Sequence, residues 1–69
     1  MIEIDDLPIR LHGRRAAVAA CLLDGLENKE IAQAVDMPLQ AVGRELKRLC
    51  AIFGARNRVH LAVLLVAAS

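Results

Sequence analysis

The sequence has no tryptophan, tyrosine or threonine, a single phenylalanine at Phe53 and a single serine at Ser69. Binding unpaired bases by stacking takes several accessible rings. One ring, expected inside the core, gives that chemistry no support. Cysteine is also sparse. Cys21 and Cys50 lack the dense, even pattern of a secreted disulfide scaffold, so a reducing cytosol is expected, with both thiols acting as small buried hydrophobes. No Cys/His pair has a metal-ligand spacing, and His12 and His60 stand alone. Catalysis would require a nucleophile beside a positioned base, or a carboxylate pair in a cleft, and neither set is present. No enzyme, cofactor, metal or small-molecule ligand is therefore expected. The longest apolar runs, Ala16 to Leu23 and Leu61 to Ala68, fall short of the roughly 20 residues that span a bilayer. The start lacks a basic, apolar leader, so a soluble, cytoplasmic chain with no membrane partner is expected. No internal repeat, low-complexity stretch or Ser/Gly linker divides the sequence.

What is present is apolar: 57% of 69 residues are hydrophobic. A chain this short buries only about 60% of the surface its unfolded form exposes. Its apolar content exceeds what one small core hides, and self-association is the expected outlet. The net charge of +1 conceals an asymmetry: residues 1–36 carry four basic and seven acidic groups, residues 37–69 five basic and one acidic. A positive second half suits a polyanionic partner.

Along the chain, residues 1–10 carry Glu3, Asp5 and Asp6 and end near Leu7-Pro8, which reads as an acidic tail or short strand ahead of a domain at 11–69. The run from about Arg14 to Leu23 is rich in helix formers, with Val18, Cys21 and Leu22 at helical spacing, and Asp24-Gly25 ends it. Asn28 is expected to cap a short second helix that buries Ile31, Ala32 and Val35. Asp36-Met37-Pro38 breaks the chain. Pro38, tolerated in a first helical turn, opens a third helix to about Phe53, with Val42, Leu46, Leu49 and Phe53 as its buried stripe. Arg58 to Ala68 is apolar nearly all round and fits a helix that meets the core on one side and a second protomer on the other. The fold class expected is all-α with four helices.

The informative unit is residues 25–53: a glycine turn, a short helix with Ala32 on its inner face, a three-residue break and a longer helix. This is helix-turn-helix architecture, in which the second helix of the pair lies in the major groove and the first crosses the backbone. The segment Gly25-Leu26-Glu27-Asn28-Lys29-Glu30-Ile31-Ala32 resembles the G-L-S-N-K-E-I-A motif of the LuxR/GerE family of bacterial transcription regulators, with Glu27 in place of serine. Leu11 and Arg14 fit the family's opening L-T-x-R-E, and Val42 fits the valine of its T-V-K. Phe53-Gly54-Ala55-Arg56-Asn57-Arg58 resembles its L-G-V-x-N-R, so the resemblance covers residues 11 to about 66. It implies a four-helix LuxR/GerE-like domain whose third helix reads double-stranded DNA and whose fourth forms a homodimer.

The sequence also departs from the family's pattern. Ala41 stands where threonine is favoured, Gly43 where a lysine often contacts DNA, Glu45 where histidine is frequent, and Pro38 where a serine caps the helix. Without those hydroxyls, contacts to phosphate rest on Arg, Lys, Gln and backbone amides. On the outer face of the third helix remain Gln40, Arg44, Lys47 and Arg48, with Gln40, Arg44 and Lys47 on one side by spacing. Gln suits adenine, and Arg or Lys suits guanine. Lys29 and Arg56 are the expected phosphate anchors, and a Glu45 carboxylate facing the groove would repel phosphate. Val59, Ala62, Val63 and Val66 are the expected dimer contacts. The departures support a second reading: a relative without DNA contacts that pairs, through its last helix, with a larger transcription regulator and modulates it.

Overall fold

The computed structural model describes Leu11 and residues 13–68. Among them are four helices and no strand: α1 (Gly13–Leu23), α2 (Asn28–Ala34), α3 (Leu39–Phe53) and α4 (Arg58–Ala68). The class is all-α, as expected. The acidic segment 1–10, His12 and Ser69 lie outside the described residues.

Local chemistry ends three helices in one way. After α1, the Gly25 N–H donates to the Leu22 carbonyl at 3.0 Å and the Leu26 N–H to the Cys21 carbonyl at 3.1 Å, with Gly25 at φ 80°. After α3, the Gly54 N–H reaches the Ala51 carbonyl and the Ala55 N–H the Cys50 carbonyl at 2.8 Å, with Gly54 at φ 68°. Both are Schellman closures, which need a left-handed residue and so favour glycine. After α2 the left-handed position falls to Asp36, at φ 55°, and the Met37 N–H closes onto the Ala32 carbonyl at 2.9 Å. Aspartate adopts this conformation more readily than most side chains.

Two helix starts differ from the sequence expectation. The N-cap of α2 is Glu27, not Asn28, and the Glu27 N–H donates to the Glu30 carboxylate at 2.9 Å, one arm of a capping box. The extended backbone falls at Glu27, so Asn28 stands inside the first turn, and its side-chain oxygen accepts a bond from Arg58. Pro38 is the N-cap of α3, not a member of its first turn: its ψ of 147° is extended, and its carbonyl accepts from the N–H groups of Ala41 and Val42.

The core is wholly aliphatic: Leu11, Val18, Ala19, Leu22, Ile31, Val42, Leu46, Leu49, Leu61 and Leu65. Every helix contributes, and α3 packs against the other three. Leu11 and the buried arc of α1 are centred on Val18, Ala19 and Leu22, which puts Cys21 at the edge of that arc, half-buried rather than enclosed. Cys50 is likewise half-buried, a free thiol at the core margin. Ile31 is the one fully enclosed residue of α2, with Ala32 and Val35 half-buried against the core. Phe53 is also half-buried, packed against the margin of the core in the last turn of α3. Taken singly, no described helix is long and apolar enough to cross a membrane.

Gly43 is the exception to local consistency, since it lies in the middle of α3. A Cβ built there meets nothing within 4 Å. Alanine at this position removes the helix penalty of glycine at no steric cost, a difference of about 1 kcal/mol. Gly43→Ala is expected to raise the thermal midpoint by about 4–8 °C, read by circular dichroism, as a gain of that size does in a small domain.

Candidate nucleic-acid interface

The inner stripe of α3 determines its outer face. A helix turns about 100° per residue, so with Val42, Leu46 and Leu49 buried, Gln40, Arg44, Lys47 and Arg48 fall on the opposite side, and all four are exposed. On that geometry they span about 100° of arc, with Ala51 among them and Arg48 at one edge. The structure thus gathers these four expected site residues on one solvent-facing surface.

Lys29 and Arg56 are exposed but lie off that face. Lys29 is in the first turn of α2, and Arg56 is in the turn between α3 and α4. The Arg58 guanidinium donates to the Asn28 side-chain oxygen and to the Leu26 carbonyl, so the start of α2 and the start of α4 are held together. Lys29 and Arg56 each lie within two residues of that bridge, and Arg56 follows the C-terminal end of α3. Gln40 is at the other end, about 20 Å away along the helix axis at 1.5 Å per residue.

Arg58 is a functional element of the geometry that the sequence reading passed over. Helices α2 and α4 do not pack on each other, so this side chain is the direct tie between them, beside the packing each has on α1 and α3. It also joins the two motif segments quoted above, residues 25–32 and 53–58. The start of α4 is capped locally: the His60 N–H donates to the Asn57 side-chain oxygen at 2.9 Å, and the Arg56 N–H donates to His60 Nδ1 at 2.9 Å. His60, isolated as a sequence feature, thus completes a cap, with Nδ1 as acceptor.

Electrostatically the outer face of α3 is positive. Its three cations, Arg44, Lys47 and Arg48, enter no ion pair among the described residues. Glu45, the acid expected to oppose an anion if it faced outward, instead contacts Arg15 of α1, with Oε1 2.5 Å from Nε. Its side chain is only 17% exposed. No polar side-chain atom among the described residues is buried without a partner.

Helix α4 presents a second surface. Leu61 and Leu65 are enclosed, while Val59, Val63 and Val66 are 73%, 58% and 63% exposed on the opposite side. Of the four expected dimer residues, Ala62 is the one that is half-buried and packed on the core, since it lies one residue from Leu61 rather than opposite it. With Leu23, Val63, Val66 and Ala67 it lines a shallow apolar hollow of about 430 Å³. No group of three His, Cys, Asp or Glu residues suited to a metal ion occurs among the described residues.

No protein family, curated protein or solved structure matches this chain.

The Arg58 bridge has a measurable consequence. Arg58→Ala removes two charge-assisted bonds and leaves the Leu26 carbonyl without its donor, at a cost of about 1–2 kcal/mol. Urea denaturation should show that loss, whereas Arg56→Ala, an exposed side chain two residues away, should change stability by less than about 0.5 kcal/mol. Equal effects of the two substitutions would mean that the bridge does not couple α2 to α4.

Proposed function

We propose that this chain is a helix-turn-helix domain that binds double-stranded DNA, part of a cytoplasmic transcription regulator similar to the LuxR/GerE family. The observation that carries the reading is the face of α3: four exposed polar or cationic side chains, Gln40, Arg44, Lys47 and Arg48, on a helix whose other side is clamped by three neighbours. Fifteen residues make a rod about 22 Å long, and an α-helix fits the major groove, which is about 12 Å wide. In this reading α2 buttresses α3, and Gln40, Arg44 and Lys47 meet base edges. Arg48 lies toward one strand, and Lys29 and Arg56 anchor phosphates beside α3.

The burial of Glu45 against Arg15 supports this reading, because the only acid of α3 is neutralised at its flank. Val59, Val63 and Val66 support a homodimer through α4, with Ala62 at the floor of the contact. A two-fold dimer places two copies of α3 in major grooves about 10 bp apart, or a multiple of that.

The same valines favour a second reading, in which α4 docks on a larger regulator and α3 touches no DNA. The two readings differ over α3. Under the first, Arg44→Ala costs about 1–3 kcal/mol of discrimination between the preferred duplex and one altered at the contacted base. Lys29→Ala weakens both duplexes alike and flattens the salt dependence by about 0.9 in the log–log slope. Fluorescence anisotropy with paired duplexes measures both. An Arg44→Ala protein with unchanged affinity and preference would remove α3 from the interface and leave the partner-docking reading.

A further inference from the structure

Arg15 and Glu45 form the only ion pair among the described residues, and it joins α1 to α3 across 30 positions of sequence. Glu45 lies at the boundary between the buried stripe of α3 and its outer face. At about 100° per residue it stands about 60° from Arg48 around the helix. The two are also three residues apart, the spacing at which opposite charges on a helix surface meet. Arg48 is exposed and enters no ion pair among the described residues. The Glu45 carboxylate thus has two cationic neighbours, Arg15 on α1 and Arg48 on its own helix, and it is committed to Arg15.

We infer that Arg15 is a positioning residue for the outer face of α3: by holding Glu45 toward α1, it keeps the Arg48 guanidinium available to a phosphate. This inference rests on the DNA-binding reading above. Without Arg15, the carboxylate turns to Arg48 and cancels a cation that would otherwise displace a counterion from the duplex. Arg15 therefore sets the number of phosphate contacts made by α3 without touching DNA itself. A simple contribution to net charge would act differently, since it would add independently to the effect of Arg48.

The test is the slope of log affinity against log salt for a mixed-sequence DNA duplex, which counts phosphates neutralised and does not report stability. The proteins compared are wild type, Arg15→Gln, Arg48→Gln, the double variant of these two, and Arg15→Gln/Glu45→Gln. Each single variant is expected to flatten the slope by about 0.9, one phosphate contact. The Arg15→Gln/Arg48→Gln protein is expected to lose about 0.9 in total rather than about 1.8, because both substitutions remove the same contact. Arg15→Gln/Glu45→Gln, which has no carboxylate to capture Arg48, should recover the wild-type slope. Additive losses in the double variant, or an Arg15→Gln slope equal to wild type, overturns the inference. Should Arg15→Gln lose its helical circular dichroism, Glu45→Gln alone decides. It keeps Arg48 free, so its slope should equal or exceed that of wild type, and a flatter slope overturns the inference. A wild-type protein that binds no duplex overturns the DNA reading and this inference together, whereas a binding wild type with additive variants overturns this inference alone.

Discussion

The structure depends on one stripe, the packing of Val42, Leu46 and Leu49 against all three other helices. Because α2 and α4 do not pack on each other and meet only through the Arg58 side chain, each is seated on α3 and α1. A helix of fixed period that buries these positions has no freedom in what it exposes. The candidate interface is the geometric complement of the core, and any slip that reseated α3 would bury a cation or expose a leucine. Fold and site are in this sense one constraint.

The core is small and purely aliphatic, so its packing is roughly non-directional and leaves the orientation of peripheral elements to polar ties. Two such ties stand out. Arg58 joins the start of α4 to the turn before α2, and Arg15 joins α1 to the flank of α3. Both are arginines, whose rigid fork of donors holds direction better than lysine. The first ties the segment that carries Lys29 to the segment that carries Arg56. The second removes the single acid of α3 from its outer face. The rest of the surface of α3 is left positive and the far side of α4 apolar, the two surfaces on which the functional reading rests.

The four helices were legible because each is bounded by strong local signals, Gly25, Pro38 and Gly54 among them, and because the α3 stripe recurs at unbroken helical spacing. Capping was less so. Asn28 is the better N-cap by propensity, but the cap falls one residue earlier, at Glu27, and the Asn28 side chain is used for the tie to Arg58 instead. Cys21 and Phe53 were expected inside and are half-buried, since periodicity gives the direction of a face but not how far the neighbouring helices extend over it. The outer face of α3 followed from spacing alone. The two ties did not: Arg15–Glu45 and Arg58–Asn28 each span 30 positions, and nothing in a single sequence links residues so far apart. Of these, Arg58 was the more accessible, lying at the end of the segment that resembles L-G-V-x-N-R.

The central claim is that α3 reads a DNA duplex, presented twice by a dimer. Its most direct test is selection from a random-sequence duplex library with the purified protein at low salt, followed by salt titration of the recovered sequence. The account predicts enrichment of a two-fold symmetric site with half-sites about 10 bp apart or a multiple of that, and affinity that falls steeply as salt rises. A library that emerges unenriched would contradict it, and would leave the valine face of α4 as the working surface of the protein.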